Sequence, residues 1–232
     1  MNKIIKNIPN ALTCCNLLCG CLGIIEVFKG NLQDAAYFVY AGAFFDFIDG
    51  MVARMLNAKS SIGKDLDSLS DLVTFGVLPG FSTYILIKIG TPNPYLPYIA
   101  LLIPLFSAIR LAIFNNDTRQ ASDFYGLPTP ANALFFISIP LILFTDNTGL
   151  KEYFQHPYVL AFLSVLFSFI MVAPIKLFSF KIKKLSLDYD NLFPVILLVG
   201  SNILFFSLFF TAFPFIIILY IILSLLKNLL QK

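Results

Sequence analysis

The sequence predicts an all-α, polytopic transmembrane helix bundle of about eight spans. Its 232 residues are 58% apolar and only 12% charged, and 26 of them are Phe. That composition is typical of an integral membrane protein and excludes an ordinary soluble domain. The apolar runs are continuous and are separated by turn residues into pieces of about 20 residues, the length needed to span a bilayer. Because they do not alternate between apolar and polar residues, strands are disfavoured.

The turn residues divide the chain into four parts. Residues 1–10 are polar, with basic and apolar residues alternating, as in a short juxtamembrane amphipathic helix or a plain positive-inside anchor. A six-helix core over 11–175 is followed by a basic cytoplasmic loop over 176–190 and a C-terminal transmembrane helix pair over 191–232. The last two helices are separated at Pro214, because Pro is favoured in the first turn of a new helix. The predicted helices are 11–28, 34–56, 66–88, 96–115, 130–145, 157–175, 191–209 and 212–230.

Basic residues predict the topology. With the N-terminus in the cytoplasm, thirteen Lys and Arg residues fall on the inner side of the membrane and three on the outer side. The inner set is Lys3, Lys6, Arg54, Lys59, Lys64, Arg110, Arg119, Lys176, Lys181, Lys183, Lys184, Lys227 and Lys232. The outer set is Lys29, Lys88 and Lys151. We therefore expect a multi-pass protein of the cell membrane with both termini in the cytoplasm.

Four aspartates interrupt the apolar sequence, in the pattern Asp46-x-x-Asp49-Gly50-x-x-Ala53-Arg54, eight residues, Gly63-x-x-x-Asp67-x-x-x-Asp71. One Asp at the centre of a membrane helix costs ~2.5–3.5 kcal/mol on insertion scales, so four unpaired ones would cost about 10 kcal/mol or more. A packing role does not account for four carboxylates at these spacings. Their charge must be neutralised by something cationic.

The spacing predicts that these carboxylates form one cluster. At about 100° per residue, the aspartates of the second helix share a stripe with Gly50 and Ala53, and those of the third helix share a line with Gly63. The short connecting loop makes the two helices antiparallel neighbours. Carboxylates without His or Cys suit hard cations such as Mg²⁺ or Mn²⁺, and four of them could bridge two ions. Small residues would let a phosphate approach the backbone, and Arg54 offers a fork for phosphate oxygens.

At every motif position this arrangement resembles the signature of the CDP-alcohol phosphotransferase family, D-x-x-D-G-x-x-A-R, eight or nine residues, G-x-x-x-D-x-x-x-D. The resemblance implies six helices around a cytoplasm-facing polar cavity that holds two divalent cations. It implies that Asp46 and Asp67 bridge both ions, while Asp49 contacts one and Asp71 the other. Asp71 is also the implied general base. The CDP-diacylglycerol site expected from the motif and its neighbours comprises Asn10, Thr13, Gly50, Ala53, Arg54, Ser60 and Gly63.

Two further segments, residues 8–20 and 124–132, resemble the phosphatidylserine synthases of that family. This subgroup implies transfer of the phosphatidyl group from CDP-diacylglycerol to L-serine, with release of CMP. Away from bulk water, the carboxylate of serine needs a cation or several amide donors. Arg110 is therefore the expected acceptor-binding residue, with Asn132 as a helper, although Arg110 in a snorkelling role is the alternative. The expected partners are the lipid bilayer and these two substrates, without nucleic acid, and the family implies a homodimer.

Two alternative functions are open from the sequence. A cation carrier would use the aspartates as a binding ring and would need polar residues continuing toward the outer face. The outer half of the second helix, residues 35–42, offers only Tyr37 and Tyr40, which disfavours a carrier. The other alternative is a different acceptor: glycerol phosphate, inositol phosphate or choline. A phosphorylated acceptor would call for more basic residues than Arg110 alone.

Overall fold

The computed structural model describes residues 7–58, 60–116, 124–145, 148–178 and 189–230. Eight long helices lie in these ranges, numbered in chain order: α1 (Ile8–Lys29), α2 (Leu32–Met55), α3 (Ser61–Gly90), α4 (Leu96–Asn116), α5 (Thr129–Thr145), α6 (Pro157–Val172), α7 (Tyr189–Leu208) and α8 (Phe213–Leu230). A one-turn helix covers Lys151–Phe154. The short strands β1 (Phe124–Tyr125) and β2 (Lys176–Leu177) pair antiparallel. The predicted all-α membrane bundle is confirmed, with this one strand pair added.

Most of the helices have the length and composition of membrane spans. Five apolar helical stretches in the described residues meet both criteria: α1, α2, α3, α4 and the stretch Leu192–Leu230. The last stretch contains most of α7 and all of α8, separated by a 3₁₀ turn over Phe209–Ala212 just before Pro214, where the break is predicted. Helices α5 and α6 are apolar but have 17 and 16 residues. Both are near the lower limit of about 17 residues for a span. The chain is a multi-pass membrane protein.

Three predicted boundaries differ from the structure by three residues or more, for local reasons. Helix α1 begins at Ile8 rather than residue 11, because Pro9 is favourable in a first turn. Helix α3 begins at Ser61 rather than 66, because the Ser60 hydroxyl accepts a 3.0 Å hydrogen bond from the Gly63 N–H and caps the helix. Helix α6 ends at Val172 rather than 175, because the residue before a proline, here Pro174, disfavours helical backbone.

The basic loop predicted over 176–190 is only partly described. Its first two residues form β2, and its last two belong to α7. Residues 179–188 lie outside the described part of the chain. So do residues 1–6 of the predicted amphipathic segment.

Small residues bring α1, α2 and α3 into close contact around Thr74. A Cβ built on Gly20 would lie 2.5 Å from Thr74 Oγ1, and one on Gly42 would lie 2.5 Å from Thr74 Cγ2. Close backbone approach at small residues is typical of packing between membrane helices. The Thr74 hydroxyl donates a 2.9 Å hydrogen bond to the Asn16 carbonyl. Thr74 lies in a π-helical stretch of α3, Leu72–Val77, a local deviation often found at functional sites.

Candidate active site

The first part of the site is a compact group of three carboxylates. Helix α2 supplies Asp46 and Asp49, and α3 supplies Asp67. One carboxylate oxygen from each lies within 4.8 Å of the others. Asp49 is buried, while Asp46 and Asp67 are half-buried. The predicted convergence of the two helices at their acidic residues is confirmed for these three.

Asp71 lies one helical turn beyond Asp67 and is buried, with 8% of its surface exposed. It is not a member of the compact group, but the charges of Asp46 and Asp67 are close enough to act on it. The π-helical stretch of α3 starts at the next residue, Leu72. Asp71 is therefore placed beside the carboxylate group and is not a part of it.

Helix α1 orients both buried carboxylates with neutral donors. The Thr13 hydroxyl donates a 2.6 Å hydrogen bond to Oδ2 of Asp49. The Asn16 amide donates a 3.2 Å hydrogen bond to Oδ1 of Asp71. The Ser70 hydroxyl in turn donates to the Thr13 carbonyl at 3.0 Å, which fixes α1 against α3. Neutral donors leave the negative charge of the cluster uncompensated.

The chemistry of this donor set fits divalent metal ions. All the clustered ligand atoms are carboxylate oxygens, which suit the hard cations Mg²⁺ and Mn²⁺. Like charges at this separation repel one another strongly in a partly buried site. A divalent cation would remove that repulsion and use the oxygens as ligands.

A cavity of about 510 Å³ opens on one side of the cluster. Six of the seven residues predicted to bind CDP-diacylglycerol line it: Asn10, Thr13, Gly50, Ala53, Ser60 and Gly63. A Cβ added to Gly50 would meet no atom within 4 Å, so the backbone there is open to a ligand. Arg54, the seventh, lies exposed in the last turn of α2 and lines neither this cavity nor the one described next.

A second cavity, of about 200 Å³, lies beside the cluster at Asp67 and Asp71. Asp71 and Arg110 both line it, as do residues of the segment that leads into α5. Arg110 is 3% exposed and its guanidinium carbon lies 5.6 Å from the centre of the Phe114 ring. The full lining is Lys64, Asp67, Ser68, Asp71, Arg110, Leu111, Phe114, Asn115, Pro128, Thr129 and Pro130.

Asn132, the predicted helper of Arg110, is not among the lining residues. It lies one turn after Thr129 on α5 and is fully buried. Neither polar atom of its amide has a hydrogen-bond partner in the described residues. A buried amide without a partner is costly, so a ligand or a water that paired with it would be favoured.

Lys64 and Asp67 line both cavities. The ammonium of Lys64 donates a 2.6 Å hydrogen bond to the Asn115 carbonyl, and the Asn115 amide donates a 2.7 Å hydrogen bond to Ser68 Oγ. These contacts tie the start of α3 to the end of α4. Asp67 of the cluster is thus accessible from both cavities.

The sequence interpretation missed Asn16 and Lys64 as site residues. Each carries a signal in helical spacing: Asn16 lies three residues after Thr13, and Lys64 three residues before Asp67. Residues three apart share a helix face. Applying that rule outward from the predicted site residues would have identified both.

Comparison with known proteins decides the family. The family model described as CDP-alcohol phosphatidyltransferase matches residues 6–175. The chain belongs to this family. The matched region covers α1 to α6, which supply the carboxylates and the residues lining both cavities. The α7–α8 pair lies outside it.

Named relatives from three organisms are also similar to this chain. A Bacillus subtilis (strain 168) protein named CDP-diacylglycerol--serine O-phosphatidyltransferase is 36% identical over 178 residues, which are 75% of this chain and 91% of that protein. A Helicobacter pylori (strain J99) protein of the same name is 34% identical over 60% of this chain and 58% of its own length. A Saccharomyces cerevisiae (strain ATCC 204508 / S288c) protein of that name is 34% identical over 56% of this chain and 53% of its own length.

Proposed function

We propose that this protein transfers the phosphatidyl group of CDP-diacylglycerol to the hydroxyl of L-serine, giving phosphatidylserine and CMP. The observation that carries the proposal is the position of the carboxylate cluster at the junction of two cavities, with Asp67 lining both. A nucleotide-activated lipid in one cavity and a small alcohol in the other would meet at the cluster. The names of the similar proteins support serine as that alcohol.

The larger cavity suits the CDP end of the lipid substrate. It is lined by small and polar residues, among them Asn10 and Gly63, and the open backbone at Gly50 leaves room for a phosphate. The smaller cavity has about 200 Å³, below the roughly 300–1,000 Å³ typical of sites for drug-sized ligands. That size suits a small acceptor such as serine.

Two divalent cations, Mg²⁺ or Mn²⁺, would be held by the four aspartates. Asp46, Asp49 and Asp67 form the compact group, and Asp71 adds a fourth carboxylate beside it. When bound, such ions hold a pyrophosphate and neutralise the charge that grows on the bridging oxygen as CMP leaves. Thr13 keeps Asp49 turned toward the cluster through its 2.6 Å hydrogen bond.

Asp71 is the proposed general base. It lines the acceptor cavity and is held at Oδ1 by Asn16. It would accept the proton of the serine hydroxyl while that oxygen attacks the β-phosphorus in line. The new phosphorus–oxygen bond forms as the bond from this phosphorus to the bridging oxygen breaks, and CMP leaves with that electron pair.

Arg110 and Lys64 are the proposed partners of the serine carboxylate. Both line the smaller cavity, and a carboxylate there would need cationic or amide donors. Lys64 would exchange its contact with the Asn115 carbonyl for the substrate. Asn132, with its unpartnered amide one turn behind Thr129, would supply a further donor.

A cation carrier is disfavoured by the packing next to the cluster. An ion path through α1, α2 and α3 would need polar groups along the helices. The residues there instead form an apolar cluster that includes Val27, Ala35, Val39, Phe75 and Leu78, each at most 1% exposed. These apolar side chains offer no ligands to a hydrated cation.

The deciding experiment is CMP release by purified protein given CDP-diacylglycerol and one acceptor at a time. We expect serine to support turnover, and glycerol phosphate, inositol phosphate and choline to support little. Turnover with another acceptor, and none with serine, would show that serine is not the acceptor alcohol. No CMP release with any acceptor would contradict the proposed reaction class.

We further propose that both termini face the cytoplasm of the cell membrane and that the protein is a homodimer. Protease accessibility of tags placed at each end of the chain in sealed vesicles tests the orientation. Mass measurement of the detergent-solubilised protein tests the oligomeric state.

A further inference from the structure

The α7–α8 pair forms a hairpin packed against the catalytic core. A Cβ added to Gly200 on α7 would lie 3.0 Å from Leu219 on α8, so the two helices run back along each other. The turn between them is attached to the core at Tyr40. The Tyr40 hydroxyl donates a 3.2 Å hydrogen bond to the Phe210 carbonyl, and its ring stacks on Phe213 with the centroids 5.3 Å apart.

At its other end, α8 holds the chain segment 176–178 with three side chains. The Tyr220 hydroxyl donates a 3.0 Å hydrogen bond to the Phe178 carbonyl, and the two rings meet edge to face. The Asn228 amide donates a 2.6 Å hydrogen bond to the Lys176 carbonyl. The Lys227 ammonium lies 5.9 Å from the centre of the Phe178 ring. Residues seven and eight apart share a helix face, so one face of α8 makes all these contacts.

The segment held by α8 is paired with the segment that enters the smaller cavity. Strand β2 pairs with β1, and beyond it the Gly126 N–H donates a 2.9 Å hydrogen bond to the Ile175 carbonyl. Gly126 has φ +78°, and a Cβ there would collide with the Met171 carbonyl. Only glycine combines a favourable positive φ with the absence of a Cβ, and this position requires both. The path of the chain into Pro128 and Thr129 is therefore fixed by its contact with the 171–176 segment.

An electrostatic interaction also connects the hairpin with the same cavity. The positive charge of Arg110, which lines the cavity, is close enough to act on the Tyr220 hydroxyl. Tyr220 is 5% exposed and so is buried between α8 and the core. The hairpin thus reaches the acceptor side of the site through a chain of contacts and through this charge interaction. Its contact with α2 is at Tyr40, which precedes the carboxylates in the chain.

We propose that the α7–α8 hairpin positions the acceptor cavity, with Tyr220 and Asn228 as positioning residues. It fixes the β1–β2 pair and thereby Pro128 and Thr129, which line the cavity together with Asp71. This inference rests on the proposed function for the identity of the acceptor. The competing role is simple anchorage in the bilayer, which would affect both substrates alike or neither.

The test is steady-state CMP release by Tyr220→Phe, Asn228→Ala and the double variant, with each substrate varied in turn. Each lost neutral hydrogen bond should raise the KM for the acceptor about 2- to 10-fold, and the double variant should raise it further. The KM for CDP-diacylglycerol should stay at the wild-type value. Asn202→Ala is the matched control, because the Asn202 amide on α7 donates to the Leu198 carbonyl of its own helix. It should leave both KM values unchanged.

An unchanged acceptor KM in the double variant, a parallel rise of both KM values, or the same rise in Asn202→Ala would overturn the proposal. Thermal unfolding in detergent separates a local change from loss of the fold, and Tyr220→Phe keeps the ring that packs on Phe178. Failure of the proposed function is distinguishable, because it would appear in the wild-type protein as a lack of turnover with serine. The hairpin test would then use the acceptor that supports CMP release.

Discussion

The amide of Asn16 donates a 3.2 Å hydrogen bond to Oδ1 of Asp71 across the interface between α1 and α3. Asn16 is fully buried, and its own backbone carbonyl accepts a hydrogen bond from Thr74. Its position is therefore set by the packing of the two helices. One oxygen of Asp71 is held in a defined direction by a residue outside the aspartate motif.

Asn16→Ala should lower kcat by about 10- to 100-fold, the usual cost of removing a group that orients a functional carboxylate. The affinity for CDP-diacylglycerol should change little, because the larger cavity is lined by other residues. Turnover and lipid-substrate binding of the purified variant check this. Asn31→Ala is the control, because the Asn31 amide contacts Glu26 at the other end of α1. Wild-type kcat in Asn16→Ala would show that the Asn16–Asp71 contact has no part in turnover.

Turnover should depend strictly on a divalent cation. Asp46, Asp49 and Asp67 lie too close together to remain charged at low cost unless a cation neutralises them. Chelation should stop CMP release, and Mg²⁺ or Mn²⁺ should restore it. Added Mg²⁺ should also raise the unfolding temperature, a readout independent of activity. Full turnover in excess chelator would contradict the two-metal proposal.

Asp46→Asn should lower activity by orders of magnitude, on the order of 10³-fold, while the protein still inserts and folds, because the variant keeps the shape of the residue and removes its charge. Asp65→Asn is the matched control, since Asp65 is an exposed carboxylate on α3 close to the same site. We expect wild-type turnover in that control. Equal losses in the two variants would indicate a general effect of charge rather than a specific ligand role.

The sequence predicts the helices and the acidic cluster well because both depend on short-range patterns. Apolar runs of spanning length predict eight helices, and carboxylates at helical spacing predict one face on each of two neighbours. The break at Pro214 is predicted for the same local reason. These features need no information about distant parts of the chain.

The parts that the sequence does not predict depend on contacts between distant residues. Asn16 meets Asp71 only because α1 packs on α3, and Lys64 meets Asn115 only because α3 crosses the end of α4. The strand pair is too short, at two residues a side, to carry a period-2 pattern. Arg54 likewise lies on a side of the last turn of α2 that lines neither cavity, although the preceding residue, Ala53, lines the larger one.

Asp71→Asn separates a base from a ligand. It should abolish transfer to serine but leave substantial CDP-diacylglycerol binding, because the compact group of Asp46, Asp49 and Asp67 is intact. CDP-diacylglycerol binding, measured with metal present, and CMP release with serine check the two parts of this prediction. If binding disappears together with turnover, Asp71 acts mainly as a ligand and its assignment as general base is wrong.

Arg110 and Lys64 provide the sharpest test of serine as the acceptor. Arg110→Ala should raise the KM for serine by about 10- to 150-fold, since a hydrogen bond to a charged group contributes roughly 1.5–3 kcal/mol. Lys64→Ala should give a smaller rise, because Lys64 is exposed and its charge is screened by solvent. The KM for CDP-diacylglycerol should change little in Arg110→Ala, because Arg110 lines only the smaller of the two cavities.

Lys88→Ala, which removes an exposed ammonium at the far end of α3, is the control for Lys64. An unchanged serine KM in Arg110→Ala would remove Arg110 from the acceptor site and favour a neutral alcohol over serine.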